Sequence, residues 1–492
     1  MKKLLIPALG ALTLLASCDF LKKEPLGSIT PENFFKTSDD AEASLTASYD
    51  ALQGTGAYGQ DLNVMGEMPS DNCTSTNGDV NAMDKIIWTP TTSQVGNVYR
   101  QGYIGVNRAN IVLKYVPTVT MDTARRSQIL GEARFIRALS YFNLVRAYGG
   151  VPLRLTPTES GAPADVNLAR STADQVYDQI VADLLRAAIQ MRSSNPNRAT
   201  KNSANALLAR VQLTRRNWAA AQTAANKVLA SNITLGSFNA LYPAENKGAE
   251  SLFEIQYAGN ADGGSILPDL LLPSPLATYS FPKFNIPTAE LIAYADTVND
   301  NRWAYTGTVN SAAGRVIGRN HASYIDGKPG NGGNSNDVGP FVYKWRSIGN
   351  NFNSTDNTYV LRYAEVLLTY AEAVNEQTGP SQDVLTKLNL VRQRAGLAAL
   401  TLSSTQALSK QALRNEIDRQ RRLELAFEGE RWWDLLRYAR HTQADASATH
   451  AVTAFDIIAQ QRNGSRDANY LLFPLPQGEI NTNPLVQQNP GY

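Results

Sequence analysis

Apolar positions recur at helical spacing in blocks along most of this chain, and the blocks are separated by polar, glycine-rich stretches. The spacing predicts a first helix from about Ser38, with Asp39, Asp40 and Glu42 at its N-terminal end and Leu45, Tyr49 and Leu52 on one face. Residues 54–97 lose that period and read as a long irregular excursion. Helix returns at about 98–115 and at 122–148, where Ile129, Phe135, Leu139, Phe142 and Val145 form a face that stops at Gly149-Gly150-Val151-Pro152. The next helix is expected from Ser171 or Thr172, with Asp174 and Gln175 placed for a capping box and Val176, Ile180, Leu184 and Ile189 on its face.

Residues 203–216 and 217–230 read as an antiparallel pair, alanine-rich, with Trp218 opening the second helix. That resembles a tetratricopeptide (TPR) unit, which must stack on neighbours to bury its faces. From 231 to 357 the character changes to Gly, Pro, Asn and Ser, with β-like runs at Leu252–Tyr257 and Phe341–Trp345. A stripe from Tyr359 through Tyr363, Val366, Leu367, Tyr370 and Val374 predicts another helix. Further helices are expected at 381–395, stopped by Gly396, and as one long charged helix over about 408–440. From Leu471 the chain reads as proline-punctuated coil. The expected fold is mostly α, TPR-like helical pairs beside a loop-rich half with minor β structure.

The N-terminus sets the expected compartment. Lys2 and Lys3 precede an apolar run from Leu4 to Ala16, too short to span a bilayer permanently, ending in Leu14-Leu15-Ala16-Ser17-Cys18. A cysteine directly after small residues is the arrangement of a lipoprotein signal, so 1–17 is expected to be cleaved and Cys18 to carry acyl chains. Two or more chains make a stable anchor, at about 0.8 kcal/mol for each buried CH₂. Cys73 then has no intramolecular partner, and no disulfide is expected. Once Lys2 and Lys3 leave with the signal, 44 basic side chains balance 44 acidic ones, which argues against a nucleic-acid partner.

Several separated segments carry a resemblance. They are Ile29-Thr30-Pro31-Glu32-Asn33-Phe34-Phe35; Glu132-Ala133-Arg134-Phe135-Ile136-Arg137-Ala138 running to Tyr148-Gly149-Gly150-Val151-Pro152-Leu153; Leu361-Arg362-Tyr363-Ala364-Glu365-Val366 with Ala371-Glu372-Ala373; Val391-Arg392 to Gly396-Leu397; Arg421-Arg422-Leu423-Glu424-Leu425-Ala426-Phe427-Glu428-Gly429-Glu430-Arg431-Trp432-Trp433-Asp434; and the close at Phe473-Pro474-Leu475-Pro476 to Asn489-Pro490-Gly491-Tyr492. In this order they resemble the SusD/RagB family of surface lipoproteins. The resemblance implies a helical fold with a variable ligand-contacting half, a place on the outer face of the outer membrane, and a partner SusC-like TonB-dependent barrel transporter. It implies capture of a glycan, or sometimes a peptide, and no catalytic centre. On it the chain divides into a signal peptide at 1–17, an N-terminal TPR-containing region at 18–240, a variable ligand-facing region at 241–357 and a C-terminal helical region at 358–492, with 18–492 as one compact unit.

The family's ligand contacts lie in variable loops and do not transfer by motif, so candidates rest on chemistry. Sugar capture asks for aromatic faces and for amide or carboxylate groups on loops of a rigid frame. Two segments qualify: Tyr58, Asp71, Asn72 and Trp88, and then Tyr279, Trp303, Tyr305, Tyr324 and Trp345. For each, packing under its own loop is the bland alternative, and Trp88 and Trp345 lie in β-like runs. The carboxylates between Arg421 and Arg437, with Glu365 and Glu372, read as ion-pair partners of arginine and not as general acids. His321, His441 and His450 have no ligand-like spacing, Asn331 to Asp337 lacks an EF-hand register, and no metal or cofactor is expected. A lipid-anchored glycoside hydrolase and a peptide-gripping adaptor are the alternative readings.

Overall fold

The computed structural model describes residues 34–242, 248–259, 263–274, 276–303, 308–311, 314–317, 322–326, 335–345 and 351–492, the middle three of the short strands by backbone alone. Helices of two turns or more, in chain order, are α1 (Ser38–Asp50), α2 (Ser93–Tyr115), α3 (Thr123–Tyr148), α4 (Ala173–Gln190), α5 (Lys201–Thr214), α6 (Trp218–Leu229), α7 (Tyr363–Thr378), α8 (Gln382–Arg394), α9 (Lys410–Leu425), α10 (Arg431–Ala444) and α11 (Ala454–Gln461). Each of α2 to α7 packs on the next, with α8 and α9 against α7, so the helices stack as a row. The expected pair at 203–230 is α5 and α6. The capping box forms as the spacing predicts: the Thr172 hydroxyl accepts from the Gln175 N–H, and the Gln175 side chain accepts from the Thr172 N–H.

Among the described residues eight short strands make three antiparallel sheets. β1 (Cys73–Thr74) pairs with β3 (Ile286–Pro287), and β2 (Ser251–Ile255) with β8 (Thr358–Arg362). The strands β4 (Thr308–Ser311), β5 (Gly314–Ile317), β6 (Ala322–Asp326) and β7 (Gly339–Val342) form a meander. One core of buried apolar residues extends from Ala41 to Val486, so sequence-distant regions share a single interior.

Three element boundaries shift, and one expected helix divides. The excursion at 54–97 contains a helix, Asp61–Glu67, and α2 begins at Ser93. Tyr359 belongs to β8, where it pairs with Glu254, and not to the helix that follows, which begins only after the extended Arg362. The coil after Leu471 includes a helical stretch, Gln477–Thr482.

The long helix expected over 408–440 is two helices, with a corner at 426–430. Phe427 (φ 67°) and Gly429 (φ 78°) both sit in left-handed backbone there. Folding back lets Arg431 meet Asp418 at 2.8 Å, which an uninterrupted helix would hold far apart. The corner is pinned from another part of the chain: the Glu67 carboxylate accepts from the N–H groups of Phe427 and Gly429, each at 3.0 Å, and from Asn72 at 2.8 Å. Burial pushes the Glu67 carboxyl up to about 7 in spite of those donors. The approach needs two glycines, since a Cβ on Gly66 would fall 1.9 Å from the Gly429 carbonyl oxygen and one on Gly429 would fall 2.9 Å from Asn63 Cα.

The carboxylates of the 421–437 stretch are spent on ion pairs, as expected. Glu424 accepts from Arg302 (3.1 Å), Arg362 (3.0 Å) and Arg394 (2.5 Å); Arg362 also reaches Glu250 (2.7 Å) and Glu428 (2.6 Å). Lys344 donates to Glu428 and to the carbonyls of Glu424 and Ala426. Burial pulls the Lys344 ammonium down to about 8. For Glu424 burial raises the pKa, but the surrounding guanidinium groups outweigh it and hold the carboxyl well below its usual range. Glu365 pairs with Arg210, and Glu372 with Arg437. Trp432 and Trp433 are buried in the core.

Removing one partner of a buried network strands the others, so Glu424→Ala is expected to lower unfolding free energy by about 3–5 kcal/mol in chemical denaturation. A second prediction concerns acid. His441 Nδ1 lies 3.1 Å from His450 Nε2, and His450 stacks on Tyr438 with centroids 4.1 Å apart. Burial lowers His441 to about 4 and His450 to about 2. Folded pKa values below the unfolded value mean that the unfolded chain binds more protons between them. Stability is then complete above about pH 6.5 and declines as pH falls towards 4. The histidines pull melting temperature down from pH 7 to pH 5 while Glu67, raised to about 7, pulls it up over the same window. His450→Phe, which keeps the stacking, should therefore lose less stability than the parent between pH 7 and pH 5.

Candidate functional site

A pocket of about 400 Å³ opens where the loop before Asp61–Glu67, the segment 77–79 and the first turns of α2 meet loops at 270–284 and 351–353. One wall is polar. Asp61, buried beneath it, accepts from Asn97 Nδ2 and from Gln60 Nε2, both at 2.8 Å. Burial raises the Asp61 carboxyl, and the two amides oppose that rise. Asn77 Nδ2 donates to the Pro282 carbonyl at 2.9 Å, tying this wall to the opposite loop, and Gln94 Nε2 donates to the Asp79 carbonyl at 2.9 Å.

The other wall is aromatic. Phe281, Phe284 and Phe352 line it. Tyr279, 46% exposed, lies parallel to Phe352 with centroids 6.0 Å apart and 15° between planes. Phe281 is 5.6 Å from Phe352 and 5.8 Å from Tyr279. The three rings form a half-exposed cluster over the polar wall. Phe352 reaches it through left-handed backbone (φ 59°), following Asn351 (φ 51°), and its N–H donates to Asp269 at 3.0 Å. A bulky residue in that region is strained, and such strain gathers at ligand-contacting positions.

The structure places most of the sequence-chosen candidates elsewhere. Trp88 is 2% exposed, with Nε1 donating to the Tyr492 hydroxyl at 2.7 Å and its ring 4.4 Å from Phe473. Trp303 is 5% exposed against Phe427. Trp345 is buried against Tyr242, and the Tyr58 hydroxyl accepts from Asn143 at 3.1 Å inside the core. Burial pushes the Asp71 carboxyl up, but Arg431 at 2.8 Å and Arg422 at 3.2 Å hold it below its ordinary value. Asn72 bridges Glu67 and Arg422. These six are corrected from ligand contacts to frame: each spends its polar atoms or its ring on the interior. Tyr279 alone of the described candidates is half exposed, and it borders the pocket only through its ring contacts with Phe281 and Phe352. Tyr305 and Cys18 lie outside the described residues, and of Tyr324 only the backbone, in β6, is described.

Phe281, Phe352, Asp61 and Asn97 were not among the candidates. Phe352 stands alone among turn formers in Asn350-Asn351-Phe352-Asn353, and Phe281 follows Tyr279 by two residues. An apolar ring isolated in a polar loop was the available signal. No cluster of His, Cys, Asp or Glu suited to a metal occurs among the described residues, and no described helix is long and apolar enough to cross a membrane.

A stacked-helix frame carrying a loop-built pocket of aromatic and amide groups defines a class of binding protein. Two family models match this chain: "SusD family" over residues 294–492 and "Starch-binding associating with outer membrane" over 19–213. The chain belongs to the SusD/RagB family. It is 28% identical to "SusD-like protein P2" of Formosa agariphila, across 100% of both chains. Among solved structures it resembles a "Laminarin binding SusD-like protein" (24% identity, TM-score 0.72, 93% of this chain and 100% of that one). It also resembles "Surface glycan-binding protein A from Bacteroides uniformis" (23%, TM-score 0.75, 92% and 99%). At these identities the structural likeness carries the fold.

Because Trp303 is frame and not contact, Trp303→Ala should cost about 3–5 kcal/mol of folding free energy, measured by urea denaturation. Any ligand affinity should survive in the fraction that stays folded.

Proposed function

We propose that this protein is a non-catalytic surface lipoprotein that captures an oligosaccharide and delivers it to a SusC-like TonB-dependent outer-membrane transporter. The single observation that carries the reading is the cluster of Tyr279, Phe281 and Phe352 facing the wall built on Asp61 and Asn97. Sugar rings present apolar CH faces that pack on aromatic rings, and hydroxyls that bond to amides and carboxylates. The names of the relatives point the same way, since one structural neighbour is described as laminarin-binding and another as glycan-binding. The second family description supports outer-membrane association. Lipidation at Cys18, outward orientation and the barrel partner rest on the signal motif and the family resemblance.

One observation favours a second reading. A buried carboxylate with a raised pKa, Asp61, shares the pocket with Asp79, and glycoside hydrolases use paired carboxylates. Against it, both Asp61 oxygens are occupied by amide donors.

Residues 19–492, prepared without lipid, would be titrated with a panel of soluble glycans by affinity electrophoresis and calorimetry. The expected result is a saturable hit that weakens about tenfold or more in Phe352→Ala, through loss of a ring contact, with melting temperature nearly unchanged. New reducing ends appearing with time, and lost in Asp61→Asn, would turn the reading to a hydrolase. A folded protein that binds none of the panel would overturn the glycan reading.

A further inference from the structure

Ser93 and Asn97, one turn apart on α2, line the aromatic pocket on one side and a larger groove of about 910 Å³ on the other. That groove runs between α2 and the helix Gln477–Thr482, with Pro152 and Arg154 closing its far side. On its wall Tyr99 is 5% exposed, and its hydroxyl makes no hydrogen bond of normal geometry within the protein. The hydroxyl of Tyr103 beside it is committed to the Pro152 carbonyl at 2.7 Å. The Tyr99 and Tyr103 hydroxyls interact with each other along this wall, and a Tyr99 hydroxyl held so loosely gains a better partner when a ligand or solvent group occupies the groove.

The two cavities differ in charge. The aromatic pocket holds Asp61 and Asp79 and no basic side chain, whereas the groove holds Arg100, Arg108 and Arg154 against Glu479. Arg108 is paired with Asp50 at 2.5 Å. Arg100 donates to the Asn97 side chain, and Arg154 to the carbonyls of Asp165 and Val166, so among the described residues neither guanidinium is matched by a carboxylate.

We propose that this groove is a second section of the ligand site that takes anionic sugar units, carboxylated or sulfated, of a saccharide chain whose neighbouring units lie in the aromatic pocket. The inference rests on the glycan reading above and narrows it to long, acidic saccharides. The Ser93–Asn97 edge of α2 is the ridge that such a chain crosses. Guanidinium groups form paired, charge-assisted bonds to carboxylate or sulfate oxygens, and the Tyr99 hydroxyl supplies a donor at the wall.

The test compares disaccharides with octasaccharides in two series, a neutral β-glucan and a uronate polysaccharide in which neutral and uronic units alternate, by calorimetry on residues 19–492. The uronate octasaccharide should bind at least about tenfold more tightly than its disaccharide, because the second contact becomes intramolecular. Added salt should shrink that gain. Gly96→Trp should abolish the gain while leaving disaccharide affinity unchanged. A Cβ there meets nothing within 4 Å, so the ring fills the groove without disturbing the helix, and Gly478→Trp, with the same open space, repeats the block from the opposite wall. Arg100→Ala should remove most of the salt dependence. A length gain that survives both tryptophans, or an equal gain in the neutral series, overturns the proposal. If no length gain occurs while disaccharide binding persists and is lost in Phe352→Ala, this inference fails and the glycan reading stands. Binding of no saccharide at any length defeats both.

Discussion

The buried Glu424 carboxylate is the constraint on which the architecture turns. It gathers Arg302 from the loop-rich half, Arg362 from β8 and Arg394 from α8 around one acid, and Arg362 carries the contact on to Glu250 beside β2 and to Glu428 at the α9–α10 corner. Each of these charges loses its hydration on burial, and none is tolerable alone. Their mutual satisfaction requires all five segments to arrive in one geometry. A hydrophobic core would accept many registers, whereas a network of bidentate guanidinium groups accepts few. The helical row and the irregular half are thereby fastened at fixed positions, and the loops above them gain a rigid floor.

The same logic explains what the sequence disclosed. Helices announced by a periodic apolar face formed where expected, as with α3 and α4, because periodicity reports burial; the exception is Ile189, expected on the α4 face but 82% exposed, since five residues past Leu184 turn it off that stripe. The arginine-rich stretch 421–437 was readable as pairing, since so many opposite charges beside tryptophans have no cheaper resting state. The break at 426–430 was not readable. It depends on Glu67, some 360 residues away, capping the N–H groups of Phe427 and Gly429, and no local pattern announces a distant cap. A glycine inside a charged helical pattern was the local trace of it.

The site was less legible than the frame for a physical reason. Tryptophan and tyrosine are the residues best suited to stack on sugars, and they are also among the largest contributors to a core. Trp88, Trp303 and Trp345 satisfy the first description and serve the second. What separates the uses is the fate of the ring's edges. Trp88 has its N–H bonded to Tyr492, whereas Tyr279 leaves nearly half its surface in water. Exposure is set by loop geometry, and the loops between Leu272 and Phe352 have little periodicity from which geometry follows.

The position of Phe352 shows how frame and site are coupled. Its left-handed backbone is unfavourable for an aromatic residue by roughly the energy of one good hydrogen bond, and such conformations persist only where surroundings over-determine them. The surroundings here are the bond from its N–H to Asp269 and the bridge between Ser265 and Ser354 just beyond. A ring held this way is already in position before ligand arrives, so little side-chain entropy remains to be lost on binding. The polar wall opposite is prepared similarly, with Asp61 orienting the Asn97 amide from beneath. Preorganisation of both walls follows from a frame whose charges permit almost no adjustment.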